Sequence, residues 1–140
     1  MKSTSVFTIA FILAVCSIFS NCSPDYTFVQ STEETLTRNG WSVDYYYQQQ
    51  DMTTEFGSYR ITFNSDGQMN IREGSNVFSG TWNRVVSSVQ TEIIGIDISC
   101  SNQNLNMLSG SWVLKTQTSS TISFEDNHPN ISFLRIKKQP

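Results

Sequence analysis

Positive charge and histidine are scarce in this chain of 140 residues. Nine Lys and Arg stand against twelve Asp and Glu, and the charged fraction of 15% lies well below the ~25% of an ordinary soluble domain. No run of Lys or Arg occurs, so the clustered cations that neutralise phosphates are missing, which excludes nucleic acid as a partner. The single histidine, His128, excludes a metal site with several histidines and a proton relay between two.

Catalytic and cofactor motifs are missing as well. The sequence has no Gly-x-Ser-x-Gly elbow, no HExxH, no phosphate-binding loop and no Cys-x-x-Cys. His128 lies between Asn127 and Pro129, a pattern typical of a solvated turn, and the nearby Asp126 also favours turn chemistry over a cation site. We therefore expect a protein without enzymatic activity, cofactor or metal.

The longest apolar segment lies at the N-terminus, over residues 6–19. As a helix it would span ~21 Å at ~1.5 Å per residue, which is short of the ~30 Å hydrocarbon core of a bilayer. A short polar start with one Lys precedes it, and a polar stretch follows it. This pattern predicts a signal peptide over residues 1–21 rather than a membrane span.

Cys22 follows this segment in the sequence Phe19-Ser20-Asn21-Cys22, which resembles a relaxed bacterial lipobox. Acyl chains such as palmitate, worth ~0.8 kcal/mol per buried methylene, would anchor the protein once two or more are attached. We predict lipidation at Cys22 and a tether over residues 22–30. The alternative is a secretory signal cut after Ser20, which leaves Cys22 free to form a disulfide with Cys100. Under the lipoprotein interpretation, Cys100 is a packed core thiol.

The rest of the chain, residues 31–140, predicts one all-β domain. Ser31 and Glu34 fit a capping box for a short helix, which we expect to cover one end of the domain. From Trp41 onward, apolar and polar residues alternate with period two. The predicted strands lie at residues 41–47, 59–64, 69–71, 78–86, 94–99, 112–115, 122–125 and 131–137. Eight antiparallel strands with one apolar face can close into an up-and-down barrel that has no exposed edges.

Several short motifs between residues 40 and 138 support this fold. They are Trp41-Ser42-Val43, Asp51 with Thr53 and Phe56, Tyr59-Arg60-Ile61-Thr62-Phe63, Ser65-Asp66-Gly67, Gly80-Thr81-Trp82 and Leu108-Ser109-Gly110-Ser111-Trp112. With these motifs the chain resembles the lipocalin-like lipoproteins of Bacteroidota-type bacteria. The resemblance implies an eight-stranded antiparallel lipocalin-like barrel with a short N-terminal helix, held by a lipid anchor in the cell envelope at the outer membrane.

Aromatic residues on the strands suggest a binding site inside the barrel. Strict alternation predicts that Tyr45 and Tyr47 point inward and Tyr46 outward. The residues that would line a pocket for a small hydrophobic ligand are Trp41, Tyr45, Tyr47, Phe63, Trp82 and Trp112. The same side chains could instead fill the core. In that case the barrel is an interaction module or accessory subunit of an envelope complex, and loops 48–56 and 101–108 contact a protein partner.

Overall fold

Nine strands and three short helical segments make up most of residues 30–126 and 128–140, which the computed structural model describes. The predicted signal peptide and Cys22 lie outside these residues. The elements in chain order are α1 (Thr32–Thr37), β1 (Gly40–Gln48), β2 (Gln50–Asp51), a 3-10 helix (Thr53–Phe56), β3 (Arg60–Phe63), β4 (Gln68–Glu73), β5 (Asn76–Val86), β6 (Glu92–Ile98), α2 (Gln103–Asn106), β7 (Gly110–Gln117), β8 (Thr121–Asp126) and β9 (Ser132–Lys138).

The strands form one closed antiparallel sheet. From β3 to β9 each strand pairs with the next one in sequence, and β1 pairs with both β3 and β9. The two-residue strand β2 pairs with the end of β1 and adds no wall to the barrel. The eight remaining strands close the sheet on itself, so each of them pairs with a neighbour on both sides. The predicted eight-stranded antiparallel barrel with a short N-terminal helix is thus confirmed.

Strand β1 contains a bulge that reverses the predicted orientation of its tyrosines. Val43 pairs with Ile136 and Tyr45 pairs with Arg135, so Asp44 is an extra residue on β1. Because side chains alternate across a strand, one extra residue moves everything after it to the opposite face. Tyr46 is therefore fully buried, whereas Tyr45 and Tyr47 are half-buried on the outer face. The prediction that Tyr45 and Tyr47 point inward is wrong.

Helix α1 covers one end of the barrel, as its sequence predicted. The side chain of Ser31 accepts a hydrogen bond from the Glu34 amide, which satisfies one free donor of the first turn. Leu36 is fully buried in the core, and its carbonyl accepts a hydrogen bond of 3.0 Å from the Trp41 indole. The helix is too short to be stable alone, so these contacts hold it in place.

The two long connections cover the opposite end. The 3-10 helix contributes Phe56, which is fully buried and lies 4.8 Å from Tyr46 between ring centroids. Helix α2 contributes the fully buried Leu105, and the Tyr46 hydroxyl donates to the Met107 carbonyl at 2.9 Å. The connections predicted as loops at 48–56 and 101–108 therefore fold over the barrel end rather than projecting from it.

Two glycines lie where another part of the chain comes close, in line with the Gly-x-Trp pattern at 80–82 and 110–112. A Cβ atom on Gly80 would meet the Asp97 carbonyl oxygen at 2.7 Å, and one on Gly110 would meet an Asp126 carboxylate oxygen at 2.6 Å. Both tryptophans of the pattern are buried. A shared packing requirement thus explains the similarity of the two segments.

Candidate functional site

The interior of the barrel is packed with side chains from all its strands and from both covered ends. One continuous apolar cluster contains the three tryptophans together with the apolar residues of the end covers. The largest side chains with almost no exposed surface are Trp41, Trp112, Tyr46, Phe56, Leu36, Met69, Ile71, Ile94, Leu105, Leu108, Ile122 and Ile136. An eight-stranded barrel is just wide enough for side chains to fill it, and this one follows that pattern.

Four of the predicted ligand-binding aromatics belong to this packed core. Trp41, Phe63, Trp82 and Trp112 are at most 7% exposed. The polar ends of the tryptophans are already bonded, since Trp82 donates to the Asn64 carbonyl at 2.9 Å and Trp112 to the Leu108 carbonyl at 2.8 Å. With its N–H bonded to the backbone and its ring surrounded by core side chains, each indole is placed to stabilise the fold.

The other two predicted residues, Tyr45 and Tyr47, lie together on the outside of the barrel. They form an outer aromatic surface with Phe133 and Arg135 of the neighbouring strand β9. The rings of Tyr47 and Phe133 are 6.2 Å apart between centroids, and the two residues are register partners. The Arg135 guanidinium lies 5.8 Å from the centre of the Tyr45 ring, which is within cation–π range.

Arg135 is held in place by the bulged residue. Its Nε atom donates to the Asp44 carboxylate at 2.6 Å. The bulge in β1 thus does two things at once, because it turns the two tyrosines outward and supplies the carboxylate that orients the cation beside them. Both groups are partly exposed, so this ion pair contributes little to stability by itself.

A shallow groove of about 330 Å³ runs along this surface. Its walls include Tyr45, Phe133 and Arg135, and Lys115 and Glu125 lie at the side of strands β7 and β8. Phe133 is 39% exposed, and Ile131, two residues earlier, is 56% exposed. Neither side chain belongs to the core cluster. Apolar side chains gathered on the outside of a folded barrel are typical of contact sites.

A polar cleft of about 210 Å³ lies near the end of the barrel that the 3-10 helix and α2 cover. Tyr46, Asp126 and His128 are among its lining residues. Burial of the phenol, together with the negative charge of Asp126, raises the pKa of Tyr46 to about 12. The Tyr46 hydroxyl therefore stays protonated at neutral pH, with its hydrogen bonded to the Met107 carbonyl. The His128 amide donates to the Asp126 carboxylate at 3.0 Å, which is the local turn chemistry that the sequence predicted.

Cys100 and the metal-binding residue types were located in the part of the chain that the structure describes. Within it, no group of three or more His, Cys, Asp or Glu side chains could hold a metal ion. Cys100 is a free thiol there, half-buried against the core, and its backbone exchanges hydrogen bonds with the Asn106 side chain at 3.0 and 2.9 Å. Cys22, the predicted lipidation site and the alternative disulfide partner of Cys100, lies outside the described residues.

Across positions 30–126 and 128–140, no helix has the length and apolar character needed to span a bilayer.

Comparison with known proteins identifies a fold neighbour. No protein-family model matches the chain, and no curated protein matches it significantly. Among solved structures, the chain is similar to a DUF4847 family protein from Bacteroides vulgatus, with a TM-score of 0.53 and 15% sequence identity. The match covers 79% of this chain and 100% of the other one. At this identity the likeness shows the fold alone.

Proposed function

We propose that this protein is a lipid-anchored envelope protein that binds a protein partner through the outer aromatic surface, with a barrel that serves as a filled scaffold. The observation that carries the proposal is the distribution of aromatic residues. Those inside are enclosed by the core, whereas Tyr45, Tyr47 and Phe133 are gathered outside beside Arg135.

The composition of the outer aromatic surface favours a protein partner. Tyrosine, phenylalanine and arginine are enriched where proteins bind one another. Aromatic rings bury much area at a small cost in conformational entropy, and the planar guanidinium stacks on rings and donates several hydrogen bonds. Here the cation and the rings are already arranged by the Asp44–Arg135 ion pair and by the Tyr47–Phe133 contact. A surface arranged before binding loses less entropy when the partner arrives.

A small apolar ligand inside the barrel is the weaker candidate. A ligand site usually needs a cavity of ~300–1,000 Å³. The positions where such a cavity was expected are occupied by Trp41, Trp82 and Trp112 in one packed cluster, and both ends are covered. A hydrophobic ligand would therefore have to displace core side chains before it could enter.

The absence of catalysis is also part of the proposal. One cleft, near the end of the barrel that the 3-10 helix and α2 cover, gathers Tyr46, Asp126 and His128. The Tyr46 hydroxyl lies 2.9 Å from the Met107 carbonyl and 3.4 Å from the Gln48 side-chain oxygen, and the Asp126 carboxylate accepts the His128 backbone amide. General acid–base catalysis is most efficient when the pKa of the group lies near the working pH, and burial raises the pKa of Tyr46 to about 12.

The anchor in this proposal is Cys22, and the site of action is the outer membrane of a Bacteroidota-type bacterium. The described chain begins at Gln30, so residues 23–29 would connect the barrel to the lipid. Two or more acyl chains on Cys22 would hold the barrel at the membrane without a spanning helix. The predicted mature protein begins at Cys22 and carries the added mass of these chains.

In-cell photo-crosslinking tests the proposed surface. A photoreactive amino acid replaces Phe133 in the full chain, and in a matched variant it replaces Val77. Val77 is 53% exposed on β5, which lies four strands from β9 around the closed sheet. We expect irradiation to give a discrete protein adduct from position 133 and none from position 77. Equal labelling at the two positions, or no adduct at either, would contradict the proposed partner surface.

A further inference from the structure

The hairpin between β5 and β6 is the second place where apolar side chains project into solvent. Its residues 85–91 read Val-Val-Ser-Ser-Val-Gln-Thr and contain no charge. Val85 and Val86 are each 50% exposed, and Val89 at the turn is 78% exposed. None of the three belongs to the core cluster. We call residues 85–91 the valine hairpin.

The valine hairpin lies at the end of the barrel where the described chain begins. At its base Arg84 pairs with Glu92. These two residues line the same cleft as Gln30 and Ser31. Gln117 bonds to the Gln30 carbonyl at 3.1 Å and lines this cleft too. The first described residue and the base of the hairpin are therefore neighbours.

We propose that the valine hairpin inserts into the interface of the lipid bilayer to which the protein is anchored. This inference rests on the proposed lipidation of Cys22. From Cys22 to Gln30 the chain spans at most ~29 Å when fully extended at ~3.3–3.6 Å per residue. A lipid on Cys22 thus limits how far this end of the barrel can lie from the membrane surface, and the exposed valines project from the same end.

The chemistry of the hairpin suits the boundary between headgroups and acyl chains. Part of its backbone is already bonded within the turn, since the Ser87 amide donates to the Thr91 carbonyl at 2.8 Å and the Gln90 amide to the Ser87 carbonyl at 2.9 Å. Such internal pairing lowers the cost of placing backbone groups near an apolar environment. The valines can enter the acyl region, while the charged Arg84–Glu92 pair at the base stays at headgroup level.

Site-directed fluorescence on the anchored protein tests this inference. In a Cys100→Ser background, Val89→Cys or the matched control Val77→Cys carries an environment-sensitive fluorophore. Val77 is an exposed valine on β5, near the end of the barrel opposite the hairpin. The full chain is reconstituted into vesicles of phosphatidylethanolamine and phosphatidylglycerol, with or without brominated acyl chains. Val85→Cys repeats the measurement at a second position in the hairpin.

We expect the labels at positions 89 and 85 to shift to the blue and to be quenched several-fold more by brominated lipid than the label at 77. Equal quenching at 77 and 89 would overturn the inference. A blue shift at 89 that brominated lipid does not quench would also overturn it and would indicate a second copy or another protein as the occupant.

The mass of the Cys22-containing peptide shows whether Cys22 is acylated. This second measurement distinguishes failure of the hairpin insertion from failure of the proposed anchor. Acylated Cys22 with an unquenched label at 89 overturns the hairpin insertion and leaves the anchor standing. Unmodified Cys22 in the protein from its own membrane overturns the proposed anchor, and the inference that rests on it is overturned as well.

Discussion

Replacing Ile94 with a smaller or a larger residue should destabilise the protein in both directions, because the barrel is full. Ile94 lies on β6 with no exposed surface, and its register partner on β7 is the buried Trp112. Ile94→Ala removes apolar contacts and leaves a void, which costs about 2–5 kcal/mol in a core that cannot collapse. Ile94→Phe must displace neighbouring side chains, which costs about 1–3 kcal/mol.

The direction of the Ile94→Phe effect separates a filled barrel from a hollow one. In a hollow barrel the larger ring would extend into free space and would be neutral or stabilising. The matched control is Ile131→Ala, which changes the same residue type at a 56% exposed position and should stay within about 0.5 kcal/mol of the wild type.

Urea unfolding followed by tryptophan fluorescence measures these differences, since the three tryptophans are buried in the native core. The midpoint should fall for both Ile94 variants, with an unchanged slope against denaturant. The reasoning is refuted if Ile94→Phe unfolds at or above the wild-type midpoint while Ile94→Ala loses less than about 1 kcal/mol.

Three further predictions concern single contacts. The unfolding free energy of the wild type should fall as pH rises from 10 towards about 12, because Tyr46 ionises at lower pH in the unfolded chain than in the folded protein. In urea titrations at each pH, Tyr46→Phe should not show the part of this decrease that Tyr46 causes. Gly80→Ala should lower the thermal midpoint, since its Cβ would meet the Asp97 carbonyl at 2.7 Å, whereas Gly57→Ala, with its nearest contact at 3.7 Å, should not. Ser31→Ala should cost about 0.5–2 kcal/mol in the same urea assay through loss of the cap on α1, and no loss would mean that the bond to the Glu34 amide is unimportant.

The sequence predicted the barrel because its signals are local. Alternation of apolar and polar residues identified the strands, and Asp66-Gly67 marked a turn in which Gly67 indeed adopts a positive φ of 82°. The cap on α1 was equally local, since Ser31 and Glu34 are three residues apart.

The arrangement of the candidate site depended on contacts between distant residues. The bulge at Asp44 is defined by pairing with β9, about 90 residues later, and no pattern within β1 marks it. Once that register is known, the outward position of Tyr45 and Tyr47 follows. Phe133 was missed because an aromatic residue on a strand is usually assigned to the core, and only its neighbours show that it faces outward.

The cover formed by the connections at 48–56 and 101–108 could not be predicted for a similar reason. Phe56 and Leu105 are isolated apolar residues in segments without periodicity, so nothing in the sequence indicated that they cover the barrel end. Their burial depends on the position of Tyr46, which the bulge in β1 determines.

Native mass spectrometry of the protein released gently from its own membrane reports the anchor, any bound small molecule and the partner in one measurement. We expect a chain that begins at acylated Cys22, has no small molecule bound in stoichiometric amount, and is accompanied by a protein partner that is lost when Phe133 is replaced by Ser. A stoichiometric apolar compound that survives Phe133→Ser, with no protein partner, would contradict it and would mean that the barrel opens to hold a ligand.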